Sequence, residues 1–561
     1  MMKGVGSMKK GLWLLIVVFS FLLVACSNDS TDSTKNSTSN ESSVSAEDSV
    51  SNDGNATNSP KELNLVLGSE PTTLHPGMAN DSFSIGLIRN LFEGLTEMKD
   101  GKPQLAAAEK YEVSHDQLVY TFTLRDAKWS NGDPVTAEDF VYSWQWALNP
   151  ENASPYASIL YPIKGAQQYN TGAGSAEDVG VKAIDEKTLE VTLSNPTAYF
   201  LELTSFSTLL PFNQKAAKEN ENWFNENSFV TNGYYTLEEW IHGGSITLTK
   251  NESYWDAENV QVNKINIAIV ESDSTQMAMF DAGEIDFIGS PFGNVALDKI
   301  DELKATRSLN ATKKSGVYWY KFNTNDELIS NVNIRKALTL AINRKDLIKN
   351  ILKGAQDPAL GLVPNAVKGF GDDEGYFKDA DYEGAREALA IGLNEFGISN
   401  PSDVTVTISY FTNEGDAAVA QFIQQNWTKE LGINVELTHS EWPVYIEELN
   451  HFNYQIGRLG WTGDYNDAYT FLEMYDTAKN PNNQTGWENE TYKSLLTKST
   501  IEKDPQNRID LLRQAEAIAM KEYPVAPIYY YTNLYVVKDY VTGMVPDFLS
   551  NYNFKYVDVN R

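Results

Sequence analysis

Three features of this sequence predict an α/β fold with mixed sheets. Strand-like alternation recurs along the chain, helical stripes lie between the alternating runs, and 561 residues at about 150 per domain make three to four units. The alternating runs come in order. Leu63, Leu65 and Leu67 form the first, and Tyr120, Phe122 and Leu124 face one side of a second, with Thr121 and Thr123 opposite. Leu189/Val191/Leu193, Ile265/Ile267/Ile269, Tyr318/Tyr320/Phe322, Val404/Val406/Ile408 and Ile433/Val435/Leu437 repeat the period of two. Between them, Ile334, Leu338, Ala341 and Ile342 have helical spacing, and 418–431 reads as a helix closed by Gly432 in a left-handed C-terminal position. Asp504-Pro505 is an N-cap followed by proline at the first helical position. Ile509, Leu512, Ala515 and Ala519 supply the buried stripe, and Pro524 ends it. No short repeat of the solenoid kind is present.

Composition narrows the function. Hydrophobic residues make up 42% and charged residues 22%, enough for a real core. The net charge is −31, and so acidic a surface repels phosphate backbones, which excludes nucleic acid as a partner. One cysteine and five histidines make neither a disulfide framework nor a structural zinc site, so no metal or cofactor is expected. His75, His115, His242, His439 and His451 are scattered and read as surface or turn residues. The P-loop, H-E-x-x-H, G-x-S-x-G and EF-hand patterns are absent, and no carboxylate pair stands out, so no catalytic residue is assigned and no enzyme is expected. Aromatic residues reach 12%, a supply suited to concave recognition surfaces.

Lys3, Lys9 and Lys10 precede an apolar run at 11–24, too short to span a bilayer and of the length of a signal-peptide core. The run ends in Leu23-Val24-Ala25-Cys26, which resembles the bacterial lipobox. That resemblance implies cleavage before Cys26 and lipid attachment to its thiol, with a plain secretory signal as the alternative. Residues 27–60 are mostly Ser, Thr, Asn and Asp and read as a disordered tether with an r.m.s. span of about 30 Å.

The segment 127–148 (AKWSNGDPVTAEDFVYSWQWAL) is dense in unusual choices. Asn131-Gly132-Asp133-Pro134 signals a turn. Thr136 caps a helix with Asp139 three residues on, and Phe140, Val141, Trp144 and Leu148 form its apolar stripe. LFEGL at 91–95, NGYYTLEEW at 232–240, YWYKFNT at 318–324 running into NIRKALTLAINR, and GRLGWTGDYNDAYTFL at 457–472 follow in the same order as in a known family. The chain resembles the peptide-binding family of ABC-importer solute receptors, over 60–561, and within it the oligopeptide-binding members.

The resemblance implies a two-lobed, periplasmic-binding-protein-like fold of class II type with an extra third domain. Lobe I is expected at 61–92, 235–317 and 532–561, the additional domain at 93–234, and lobe II at 318–531, after a signal peptide at 1–25 and a tether at 26–60. An extended peptide is expected between the lobes, hydrogen-bonded through its main chain. The W-x-x-D-Y-N motif reads Trp461-Thr462-Gly463-Asp464-Tyr465-Asn466 here, so Asp464 is the expected partner of the peptide's α-ammonium. Gly460, Trp461 and Thr462 are the expected backbone-pairing strand, with Tyr465 beside them, and Asn80, Asp81 and Ser82 the second pairing stretch. Arg458 matches a cleft-facing arginine, Trp442 an aromatic pocket wall and Tyr142 a tyrosine near the peptide amino end. Leu449 stands where some members carry a second arginine, and Thr462 stands where some carry a cysteine. Other readings remain open: a turn aspartate for Asp464, core roles for Trp442, Trp461 and Tyr142, and a structural ion pair for Arg458.

The implied partners are an oligopeptide, ABC permease subunits with cytoplasmic ATPases, and the membrane through the lipid. The implied state is a monomer on the outer face of the cytoplasmic membrane, at a Gram-positive cell surface. Dipeptides, a peptide pheromone or another small solute are the alternative ligands, and a secreted hydrolase is the alternative of another class. The leader reading makes a prediction. Cys26→Ala abolishes incorporation of a labelled fatty acid and releases the protein from washed membranes or leaves it unprocessed; a variant that still carries lipid refutes the lipobox.

Overall fold

The computed structural model describes residues 60–99, 101–225, 228–370 and 375–561, and of Glu414, Trp442 and Pro443 only the backbone. They belong to a single compact unit. The leader, Cys26 and the tether lie outside the described residues. Among those described, no helix is long and apolar enough to cross a membrane.

Three principal sheets carry the chain. The first joins Glu62–Leu67 in parallel to Lys264–Ile269, then Ser245–Lys250 and Tyr235–Ile241. The second is antiparallel and built from Ala108–Val113, Val119–Leu124, Thr188–Thr192 and Val181–Asp185. One hydrophobic core runs from the first sheet into the second, shared by Leu63, Leu65, Ile265, Phe122, Leu189 and Trp144. Within it the predicted capping box is formed. The Thr136 backbone N–H donates to Asp139 Oδ2 at 2.9 Å, and helix Ala137–Leu148 buries Phe140, Val141, Trp144 and Leu148.

The third sheet is mixed. Phe287–Gly289, Val525–Val537, Asn310–Phe322, Ile456–Thr462, Thr405–Phe411 and Asn434–Ser440 lie side by side in that order. Alternation along Asn310–Phe322 sends Tyr318, Tyr320 and Phe322 to a core with Ile408 and Trp427, and Val317 and Trp319 to a core with Phe471 and Tyr475 on the other face. Helices cover both faces. Glu414–Leu431 begins earlier than its apolar pattern, because Asn413 caps it, and closes on Gly432 at φ 72°. Pro505–Glu522 is capped by Asp504 as predicted, but Tyr523 in a left-handed conformation terminates it before Pro524.

The two 13-residue strands tie this sheet to the rest of the molecule. Asn310 pairs with Tyr535 at one end and Lys321 with Val525 at the other. Between Lys313/Thr532 and Val317/Tyr530 the register slips, so the two strands bend together at that point.

One expectation is corrected. His75 is a core residue, 2% exposed, with its ring 4.3 Å from that of Trp146 and 5.0 Å from that of Phe212. Burial pushes its pKa down to about 3, so the ring stays neutral and its Nδ1 accepts the Gly77 N–H at 3.0 Å.

The feature that shapes the functional region is where one ladder stops. Ile456–Thr462 pairs with Gly316–Phe322 along its whole length, yet with Thr405–Phe411 only at Ile408/Ile456 and Ser409/Gly457. Tyr445, fully buried on helix Trp442–Asn450, fills the gap where the strands part. Its hydroxyl lies 3.0 Å from the Ser409 carbonyl and 2.7 Å from the Arg458 carbonyl. Tyr445→Phe leaves those buried carbonyls without their donor. The expected cost is about 1–3 kcal/mol, read as a lower denaturant midpoint with unchanged slope.

Candidate functional site

Past Gly457 the Ile456–Thr462 strand has no described neighbour on the side that Tyr445 wedges open. The Arg458 carbonyl points to that side, toward the Tyr445 hydroxyl. Backbone groups alternate sides along a strand, so those of Gly460 and Thr462 face the same open edge. On the sheet face, a Cβ at Gly460 would lie 2.1 Å from the Tyr531 hydroxyl, and one at Gly316 would lie 2.5 Å from the Tyr531 ring. Glycine at both positions lets Tyr531 lie over the strand beside the bend. Trp461 turns the other way, with its indole Nε1 donating to Thr470 Oγ1 at 3.3 Å and its ring packed on the core.

The strand ends in a loop whose residues have separate tasks. Gly463 N–H donates to the Ser315 carbonyl at 2.9 Å and ties the loop to the neighbouring strand. Asp464 follows, and among the described residues it forms no ion pair. Its backbone N–H and Oδ2 both meet Thr470 Oγ1, each at 3.4 Å. Burial pushes its carboxyl up to about 7, which the Thr470 hydroxyl only partly offsets. Glu473 is pushed up to about 8, first by burial and then by the nearby Asp464, while the Tyr465 hydroxyl donates to it at 3.2 Å. Tyr465 stacks on Tyr199 with centroids 4.2 Å apart and planes at 8°. Asn466 N–H donates to Glu202 Oε2 at 2.8 Å, and burial pushes the Glu202 carboxyl up to about 7. Asp467 is gripped by Arg508, with Nη1–Oδ2 at 2.5 Å and Nη2–Oδ1 at 2.9 Å.

The other residues singled out from sequence are placed as follows. Arg458 Nε lies 2.8 Å from Asp416 Oδ1, under the rings of Tyr318 at 4.3 Å and Phe411 at 4.9 Å, an arrangement that matches the structural ion-pair reading. The Tyr318 hydroxyl donates to the same Asp416 oxygen at 2.8 Å. Leu449, in place of an arginine, is fully buried with Tyr445 and Tyr454. Trp442 begins helix Trp442–Asn450, and its side chain lies outside the described residues. Asp81 caps helix Ser82–Leu91, with Oδ1 accepting the Ser84 N–H at 2.8 Å and Oδ2 the Thr72 hydroxyl at 2.6 Å. The exposed Asn80 makes no backbone hydrogen bond among the described residues. Tyr142 packs edge-on against Phe212 at 5.7 Å, with Lys218 Nζ 5.1 Å from its ring centre. The structure thus gathers Gly460, Trp461, Thr462, Asp464 and Tyr465 in one strand end. Tyr142 packs against the core of the first two sheets, while Asn80 and Ser82 are exposed and Asp81 is half-buried at the start of helix Ser82–Leu91. Sequence reasoning missed Tyr531, Thr470, Glu473, Tyr199 and Glu202; Thr470 lies within the 457–472 stretch, and the others stand in none of the quoted motifs.

An open strand edge ending at a desolvated carboxyl, in a two-lobed α/β frame, defines a binding protein. The chain belongs to the bacterial extracellular solute-binding proteins, family 5, whose model matches residues 102–483. It is 46% identical over 538 residues to the oligopeptide-binding protein OppA of Bacillus subtilis, covering 95% of this chain and 96% of that one. Two solved structures superpose on it. Haemophilus influenzae OppA in complex with RPPGFSPFR gives a TM-score of 0.78 at 30% identity, covering 90% of this chain and 99% of that one. Listeria monocytogenes OppA bound to peptide gives 0.76 at 30% identity, with the same shares.

The raised Asp464 pKa has a consequence for the ligand-free protein. The unfolded chain ionises this group near 4, whereas the folded protein holds its proton to about 7. Between those values the folded state binds more protons, so stability falls as pH rises through this window. Asp464→Asn removes the burden. The melting temperature of the ligand-free variant should exceed that of the wild type at pH 8 and approach it at pH 4; an equal shift at both pH values contradicts the buried-carboxyl reading.

Proposed function

We propose that this chain is a lipid-anchored receptor that binds oligopeptides in extended conformation and delivers them to an ABC permease. The observation that carries the reading is the edge of Ile456–Thr462, unpaired beyond Gly457 among the described residues and leading directly to Asp464, a carboxyl for which those residues supply no cation partner. An extended peptide adds to such an edge as a further strand, using main-chain bonds that do not read side chains. Its α-ammonium supplies the charge Asp464 lacks, since a buried ion needs an opposite charge to offset its desolvation. Gly460, Trp461, Thr462 and Tyr465 belong to this half of the site. Asn80, Asp81 and Ser82 with Tyr142 form the facing half, where the free backbone of Asn80 supports pairing and Asp81 also holds the helix behind it. In this reading Arg458 tunes the cleft from its pair with Asp416, and Trp442 lines a pocket.

The domain division goes with it: lobe I at 61–92, 235–317 and 532–561, an additional domain at 93–234, and lobe II at 318–531. The first sheet falls wholly in lobe I, the second wholly in the additional domain, and the register slip at Lys313/Val317 falls beside the proposed lobe boundaries at 317/318 and 531/532. Differential affinity for the closed arrangement closes the lobes on the peptide. The peptide bound by the Haemophilus and Listeria relatives supports this ligand class. Cys26 anchors the receptor outside the cytoplasmic membrane, next to a permease driven by cytoplasmic ATPases. The chain acts as a monomer and performs no chemistry on the peptide.

Calorimetry with RPPGFSPFR and its N-acetylated form, on wild type and Asp464→Asn, tests the reading. Acetylation or the substitution alone should weaken binding by two to three orders of magnitude, because each strands a partner of a buried ion pair at a cost of about 3–5 kcal/mol. Together they should cost little more than either one. Additive losses remove Asp464 from the site, and absence of binding by the wild type removes the peptide.

A further inference from the structure

The three residues after Asp464 all engage groups outside their own strand. Two of the engagements reach the 199–202 segment, which is distant in sequence. Tyr465 stacks face to face on Tyr199 at 4.2 Å, and the Asn466 N–H donates to Glu202 at 2.8 Å. Arg508 holds Asp467 by two hydrogen bonds, and its guanidinium carbon lies 5.6 Å from the centre of the Tyr199 ring. Tyr469 adds a ring 6.4 Å from Tyr199, inclined to it by 22°. Tyr199 caps the short helix Phe200–Leu203 and Glu202 lies within it, and the Phe200 and Leu203 of that helix are buried in the core of the first two sheets. The segment is therefore rigidly rooted on its own side, while the loop is rooted on the other through Gly463 and Ser315.

We propose that Tyr199 and Glu202 are positioning residues that clasp the 463–467 loop across the cleft, so that Asp464 is held in place for the ligand's ammonium only while the clasp is shut. This rests on the receptor reading above and names what sets the dwell time at that site. The residue that meets the ligand and the residues that meet the clasp are consecutive. A peptide that orders Asp464 thereby orders Tyr465 and Asn466 against Tyr199 and Glu202, and the clasp in turn traps the peptide. Opening the clasp is a step in ligand escape, so its loss should appear in dissociation and not in association.

The experiment uses the full chain and RPPGFSPFR, with rates read by stopped-flow tryptophan fluorescence. Tyr199→Ala and Glu202→Ala should each raise the dissociation rate roughly tenfold while the association rate stays within about twofold. Tyr199→Phe keeps the stacked ring, and Glu202→Gln keeps an acceptor for the Asn466 N–H, so both should retain near-wild-type rates. Unchanged dissociation in both alanine variants overturns the clasp and leaves the receptor reading standing. A loss confined to association, or an equal loss in the conservative variants, also overturns it. A wild type that binds no peptide overturns the receptor reading, and the clasp with it.

Discussion

The architecture of the site depends on one incomplete ladder. Thr405–Phe411 and Ile456–Thr462 start as parallel neighbours and part after two pairs, because the Tyr445 hydroxyl sits between the Ser409 and Arg458 carbonyls. Full pairing would have satisfied the backbone of Gly460 and Thr462 internally. Parting the strands leaves a row of backbone donors and acceptors without a described strand partner, and such an unpaired edge is a template for another chain. The opposite side of the strand is fully paired to Gly316–Phe322, so the edge is open without being loose.

Beyond the strand, the loop gathers acids in a way that disfavours their ionisation. Asp464 and Glu473 are both pushed toward neutral pH, chiefly by burial, and the charge of Asp464 further raises Glu473. The nearby Asp467 is paired by Arg508, while Asp464 has only a hydroxyl. A carboxyl kept in this setting costs the folded protein stability wherever it must ionise.

Much of the frame was legible along the chain. The period-two runs at 63–67, 120–124, 189–193, 265–269, 318–322 and 404–408 are strands, and the Thr136/Asp139 box and the Asp504-Pro505 start are helix ends. These are local consequences of side-chain alternation and capping, and a sequence displays them directly. His75 misled because a lone histidine carries no local sign of burial; four aromatic rings from distant positions, Trp146, Phe212, Trp223 and Phe224, make it core.

By itself the sequence determined most strands and helices, the net charge of −31 and, through the order of its motifs, the family. Tertiary structure decided the rest. That Arg458 is committed to Asp416 beneath Tyr318 and Phe411 depends on three other strands and helices arriving there. That Leu449 is core, that Tyr531 lies over Gly316 and Gly460, and that Tyr199 and Glu202 meet the 465–466 turn are contacts between residues up to 266 positions apart. Periodicity reports only the face a side chain presents. Which partner meets that face, and whether water is excluded there, is set by how the sheets pack, and the ionisation of Asp464 follows from that exclusion.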